Sequence, residues 1–279
     1  MRIGEFIDQL KIKLQAVYDE RESQNIATYL TEELFGKLFV RNNSELNDAQ
    51  FLNLQSASAR LLNCEPIQYV LGEAWFYGKK FIVNQDVLIP RPETEELIEF
   101  ILAENKKSDP VILDIGTGSG CIPIILKSEL PNSTIFGMDI SDKALLIAKE
   151  NAKKHQTGIH FLQFDILQDK NPAIPQLDII VSNPPYVDPN DASSLHKNIL
   201  DHEPFLALFG NIHEPLIFYR IISAFAFTHL LPQGKLYFEL PENKGDIISS
   251  IVLNAGLKNI KIKMDLQKKE RMLEAVKMI

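Results

Sequence analysis

From Val111 onward the chain alternates short apolar runs with amphipathic stretches, and this rhythm restricts the fold more than any other feature. VILD precedes a helical pattern that starts at about Gly120, TIFGMD precedes one near 142–155, and IHFLQFD and LDIIVSNPPY follow. Short apolar strands separated by a helix-length stretch cannot pair as hairpins. They pair in parallel through crossover helices, which is the pattern of a doubly wound α/β sheet. KLYFELP, a helical pattern near 244–255, NIKIKMD and MLEAVKM complete the series. The last two leave no room for a crossover, so they are expected to form an antiparallel pair.

The upstream texture differs. Ile3, Phe6, Ile7, Leu10, Leu14 and Val17 lie on one stripe of a 3.6-residue helix, and Ile26, Leu30, Leu34 and Leu38 repeat the pattern. Asn47 to Gln50 resembles a capping box opening a third helix that stops before Pro66. These signals predict a small all-helical domain over residues 1–74. In AWFYGKKFIVNQDVLIP, aromatic and β-branched residues interleave around Gly78, which predicts a β-hairpin linker over 75–90 and leaves 91–279 for the α/β domain.

Composition narrows the function. Against 29 Lys+Arg stand 37 Asp+Glu, a net charge of −8, whereas chains that grip nucleic acid by its phosphates carry a basic face. No direct nucleic-acid binding is expected. Cys64 and Cys121 form no CxxC pair and are expected to be buried thiols, and the six histidines include no HxxxH or HExxH spacing, so no metal site is expected. Glu5 and Asp8 interrupt the segment where a signal peptide needs its apolar region, and no apolar run reaches the roughly 18 residues of a membrane span. A cytoplasmic protein without membrane contact is the expectation. Phe225, Phe227, Leu230 and Leu231 are read as core.

Two motifs carry chemistry. The first strand runs into Asp114-Ile115-Gly116-Thr117-Gly118-Ser119-Gly120, a glycine turn that lets backbone amides approach a nucleotide-like cofactor as a helix begins. The dinucleotide fingerprint GxGxxG fails because position 121 is Cys, while the GxGxG form preceded by an acid is satisfied. That form resembles the first motif of S-adenosylmethionine-dependent methyltransferases. Asp139, ending the next strand, is then placed for ribose hydroxyls, and Asp165, after the third, for an adenine amino group. A single strand-ending aspartate is as readily a helix cap or turn residue, but recurrence on consecutive strands favours the cofactor reading. The second motif is Asn183-Pro184-Pro185-Tyr186. Two prolines fix φ and remove two backbone donors, leaving the Asn183 side-chain oxygen and the Pro184 carbonyl as acceptors for both N–H bonds of an amide or amino nitrogen. Its lone pair is thereby turned toward a methyl donor, and Tyr186 can pack on a planar group.

PIQYVLGEAWFYGKKF (66–81), VLIPRPETEEL (87–97), LDIGTGSGCI (113–122) and IVSNPPYV (180–187), in this order, resemble the HemK/PrmC family of peptide-chain release factor glutamine N5-methyltransferases. The resemblance implies a Rossmann-like methyltransferase sheet with an antiparallel last strand over 91–279. The helical domain would recognise the protein substrate. The implied reaction carries a methyl group from S-adenosyl-L-methionine to the glutamine of a Gly-Gly-Gln motif in release factors, giving S-adenosyl-L-homocysteine and serving translation termination. It puts the cofactor loop on Gly116, Thr117, Gly118, Ser119 and Gly120, the ribose acid on Asp139, an adenine-side apolar residue on Ile166 after Asp165, and the glutamine clamp on Asn183, Pro184, Pro185 and Tyr186, with Asn183 also touching the cofactor. Phe209 to Glu214 and FELPENKGD depart from the family's pattern. The alternatives are a ribosomal-protein glutamine methyltransferase, against which the block Arg91-Pro92-Glu93-Thr94-Glu95 argues, a DNA or RNA amino-methyltransferase, which needs a basic recognition domain, and a cofactor-binding module without turnover, which has no need of an intact NPPY.

Overall fold

The computed structural model describes residues 1–168, 172–188, 190, 192 and 195–278. Two compact units emerge, Met1–Ala74 with Leu195–His202, and Trp75–Ser194 with Glu203–Ile279.

The first unit holds α1 (Ile3–Leu14), α2 (Glu20–Phe35), α3 (Lys37–Arg41), α4 (Asp48–Leu62) and α5 (Ile67–Leu71). Ile3, Phe6, Ile7, Leu10 and Leu14 of α1 are buried together with Leu30, Leu54 and Leu61. The predicted capping box is formed: Asn47 Oδ1 accepts from the Gln50 amide at 2.9 Å, and Gln50 Oε1 accepts from the Asn47 amide at 3.0 Å. Leu38 departs from its expected stripe. Gly36, at φ +87°, ends α2, so Leu38 belongs to α3 and is 72% exposed. Cys121 is buried as expected, whereas Cys64 is half-buried, in a left-handed turn (φ +61°) just after α4.

After a hairpin of β1 (Glu73–Phe76), whose first two residues belong to the first unit, and β2 (Lys79–Ile82), the second unit continues through α6 (Pro92–Glu104), β3 (Val111–Ile115), α7 (Cys121–Glu129), β4 (Thr134–Asp139), α8 (Asp142–Lys154), β5 (His160–Gln163) and β6 (Leu177–Ser182). There follow α9 (Lys197–Leu200), which belongs to the first unit, α10 (Phe205–Phe209), α11 (Ile217–His229), β7 (Leu230–Glu239), α12 (Gly245–Asn254), β8 (Lys258–Met264) and β9 (Glu270–Val276). Among the described residues, seven strands form one sheet in the order β5-β4-β3-β6-β7-β9-β8. The pairs β4–β5, β3–β4, β3–β6 and β6–β7 are parallel, and β9 runs antiparallel to both β7 and β8. The short β8–β9 connection therefore does more than close a hairpin: it inserts β9 between β7 and β8.

Side-chain alternation along the strands serves two cores. Ile112, Ile179, Val181 and Tyr237 pack with α6 and α7, while Leu113, Ile180, Leu236 and Phe238 pack with α11 and α12. Phe225 and Leu230 join the second core, but Phe227 is exposed, with Lys277 Nζ 5.5 Å from its ring centre.

Where β3 turns into α7, Gly120 has φ +78° and an added Cβ would lie 3.1 Å from Ala148 Cβ on α8. Both the backbone conformation and the close helix approach demand glycine. Gly120→Ala is expected to destabilise the second unit by about 1–3 kcal/mol, read as a lower urea midpoint at unchanged slope; an unchanged midpoint would remove this argument for the turn.

Candidate active site

β3 and β6 lie side by side at the sheet's centre, while the chain order runs outward in opposite directions on either side of them. Their connections diverge, and a crevice opens beyond their carboxyl ends. Ser182 Oγ, fully buried, donates to the Ile115 carbonyl at 2.7 Å and ties the two ends together. Beyond this tie lies a cavity of about 380 Å³, within the usual range for a small-molecule site.

Gly116, Gly118, Asp139, Asp165, Ile166, Asn183, Pro184 and Pro185 all line it, so the structure gathers both sequence motifs around one space. Thr117, Ser119, Gly120 and Tyr186 are not in its wall. Thr117, Ser119 and Gly120 are buried, and the Ser119 carbonyl accepts from Asn151 Nδ2 at 2.9 Å. The loop amides are used differently from the sequence expectation. Those of Gly116 and Thr117 donate to the Met138 carbonyl at 2.9 and 3.0 Å, and that of Gly118 donates to Asp139 Oδ2 at 2.9 Å. Asp139 Oδ1 also accepts from the Ser141 amide at 3.0 Å at the start of α8. Asp139 thus shapes the loop as well as facing the cavity, and burial raises its pKa. Asp165 Oδ1 accepts from the Leu167 amide at 2.9 Å, a local turn at the cavity's edge.

Asp114 was legible as the acid of the first motif, yet its environment was not. It is fully buried, and neither its carboxyl oxygens nor the neighbouring buried Thr117 hydroxyl has a hydrogen-bond partner. Burial pushes its carboxyl up to about 7; the neighbouring Thr117 hydroxyl opposes the shift and the nearby Asp139 charge adds to it.

Behind Asn183 lies a polar group that sequence reasoning missed. Asn183 Nδ2 donates to Thr94 Oγ1 at 3.3 Å, Thr94 Oγ1 donates to Glu239 Oε2 at 2.6 Å, and the Tyr186 hydroxyl donates to Glu239 Oε1 at 3.3 Å. Tyr186 therefore packs against the core with its hydroxyl held by a carboxylate. Burial pushes Glu239 up to about 7, with the Thr94 hydrogen bond and the Arg271 charge opposing the shift. Arg91, in the same block as Thr94, pairs with buried Glu203 at 2.6 Å. That ion pair ties the block to the segment whose Pro204, Leu206 and Ala207 line the cavity. The only signal for these partners was that Thr94 and Glu239 sit in distinctive sequence blocks. Phe209, first residue of the divergent segment, is buried.

The cavity's described lining carries Asp86, Asp139 and Asp165 as its ionisable side chains, with no Lys, Arg or His. Asp86 is paired with Lys143 at 3.6 Å, so Asp139 and Asp165 are the acids that make the wall suit a cationic ligand better than a pyrophosphate. Among the described residues no cluster of His, Cys, Asp and Glu has metal-site geometry, and no helix is long and apolar enough to cross a membrane.

Fold and sequence comparisons agree on the class. The Methyltransferase small domain profile matches residues 94–207. A methyltransferase from Pyrococcus furiosus superposes with a TM-score of 0.55 at 19% identity, over 81% of this chain and all of that one. The protein is a methyltransferase by fold. The release factor glutamine methyltransferase of Flavobacterium psychrophilum is 40% identical over 98% of this chain and 99% of its own length, and that of Bacteroides thetaiotaomicron 37% identical over 98% and 99%. The chain belongs to the release factor glutamine methyltransferase family.

Because Asp114 is raised from the usual 3.8 to about 7, the folded chain keeps a proton that the unfolded chain has released between about pH 4 and 7. Its contribution to stability therefore falls as pH rises through that window. Asp114→Asn, without cofactor, is expected to match wild type near pH 4 and to exceed it by a few kcal/mol (~1.36 kcal/mol per pKa unit) at pH 8. Denaturation of both proteins at the two pH values measures this; an equal difference at both would place the charge elsewhere.

Proposed function

We propose that this enzyme transfers a methyl group from S-adenosyl-L-methionine to the side-chain amide nitrogen of the glutamine in the Gly-Gly-Gln motif of peptide-chain release factors, in the cytoplasm. The observation that carries this reading is the meeting of Asn183-Pro184 and the glycine loop in one cavity.

The residues present suit the cofactor. The acidic wall complements a sulfonium and an ammonium group, the orphaned Asp114 carboxyl lies beneath the loop, and a Cβ added at Gly116 or Gly118 would meet no protein atom within 4 Å, so the loop leaves open space beside it. When bound, S-adenosyl-L-methionine supplies an electrophilic methyl group on sulfur. In this reading Asp139 holds the ribose hydroxyls, Asp165 accepts from the adenine amino group, Ile166 packs beside the adenine, and Gly116 and Gly118 form the floor, with Thr117, Ser119 and Gly120 shaping the loop behind them.

Asn183 Oδ1 and the Pro184 carbonyl accept the two N–H bonds of the substrate amide. An amide nitrogen is a poor nucleophile because its lone pair is delocalised; two fixed acceptors turn that lone pair toward the methyl donor. Pro185 holds the loop rigid, and Tyr186 anchors its far end on Glu239. The amide proton becomes acidic as the new N–C bond forms, so it leaves after transfer and no general base is required beforehand. Positioning carries the rate. The helical unit contributes recognition of the protein substrate, because a single glutamine side chain uses only the cavity.

Incubation with labelled S-adenosyl-L-methionine and, separately, a release factor, a ribosomal protein and an oligonucleotide tests the substrate. Label is expected on the release factor alone, at its Gly-Gly-Gln glutamine, and label on either rival instead would overturn the reading. Asp139→Ala is expected to weaken cofactor binding by about 1.5–3 kcal/mol through lost charge-assisted hydrogen bonds; calorimetry finding unchanged affinity would reject the ribose role.

A further inference from the structure

We propose that Thr94 is a positioning residue for methyl transfer: anchored on Glu239, its hydroxyl holds the Asn183 amide with nitrogen inward and oxygen toward the substrate. The inference rests on the reading of Asn183 as part of the glutamine clamp.

An asparagine side chain has nearly the same shape when its amide is rotated by half a turn, but the two orientations are chemically opposite. One offers an acceptor to the substrate N–H and the other offers a donor, which repels it. A cavity wall must therefore distinguish the two ends, and a hydroxyl alone cannot, because it both donates and accepts. Glu239 removes that ambiguity. When ionised, its Oε2, 2.6 Å from Thr94 Oγ1, can only accept, so Thr94 donates to it and turns a lone pair toward Asn183 at 3.3 Å. Only an N–H satisfies that lone pair. Thr94 and Glu239 are both buried, at 3% and 1% exposure, so water does not compete for either group. The other carboxylate oxygen accepts from Tyr186 at 3.3 Å, so one carboxylate aligns both ends of the Asn183–Tyr186 loop. The Glu239 backbone carbonyl accepts from the Tyr219 hydroxyl at 2.9 Å, fixing the end of β7 from which the carboxylate projects.

A purely structural Thr94 would join α6 to β7 and leave the orientation of Asn183 unaffected. The two roles separate in single-turnover methylation of a release factor at saturating cofactor. Thr94→Val keeps the shape and removes the hydroxyl, and it is expected to slow transfer by about 10–100-fold, below the loss of a whole transition-state hydrogen-bonding group. Its cofactor affinity should stay within about twofold of wild type, since the glycine loop and Asp139 are untouched. Thr94→Ser restores the hydroxyl and should return the rate to within about threefold. Thr94→Ala provides the same hydroxyl-free comparison if the valine variant does not fold. Asn183→Ala, run beside them, is expected to be slow, and adding Thr94→Val to it should slow it no further, because the group being oriented is gone. A hydroxyl-free variant at the wild-type rate, a serine variant as slow as valine, or an additive double variant overturns the proposal. Asn183→Ala at the wild-type rate would instead overturn the clamp reading itself.

Discussion

Two parallel strands whose connections leave in opposite directions cannot both be covered at their carboxyl ends, and this constraint at β3 and β6 organises everything that follows. The sheet order creates the crevice, and the Ser182–Ile115 hydrogen bond keeps its two lips in register. Each lip ends in a sequence that cannot continue as strand or enter a helix at once. On one side glycines turn the backbone, with amides tied to Met138 and Asp139; on the other, two prolines stiffen it. Two motifs far apart in the chain can therefore line one cavity because the topology brings them together.

The same region concentrates the acids that the fold tolerates least. Asp114 and Glu239 are fully buried and both rise to about 7. A core selected for stability alone would replace them, since burying a carboxyl without full compensation is costly. Their placement beside the two proposed binding halves fits a site that gives up stability for function. The two acids nevertheless differ. Glu239 has hydrogen-bond partners and the Arg271 charge nearby, so it organises its neighbours. Asp114 is fully buried behind the glycine loop and takes no part in the cavity wall, so its effect is on the loop and on stability.

What the sequence made legible follows the range over which each determinant acts. The order of the seven sheet strands along the chain, the capping box at Asn47 and the antiparallel end of the sheet depend on neighbours within a few residues, and all appear in the structure, whereas the helices α6 and α11 were not legible in this way. The lining positions Gly116, Gly118, Asp139, Asp165, Ile166 and Asn183 to Pro185 were legible because glycine, proline and strand-ending acids mark turns at fixed offsets. The exceptions need information a local pattern lacks. Leu38 continues a helical stripe on paper, but one glycine shifts it to another helix. The loop amides look available until β4 lies alongside and supplies an acceptor. Thr94 and Glu239 are 145 positions apart, so their contact depends on how α6 packs over β7.

That separation accounts for how the proposed site divides its work. A charged cofactor can be recognised through charge, and charge acts over several ångströms, so acids placed by local turns are sufficient. A neutral amide offers no such handle, and methylating its nitrogen depends on the direction of two hydrogen bonds and not on field strength. Direction requires rigid partners held at bonding distance, and those must come from packed elements and not from the loop alone. The glycine loop and Asp139 could be read from one stretch of chain for this reason, whereas the polarity of Asn183 is set by a helix and a strand that meet only in the folded sheet.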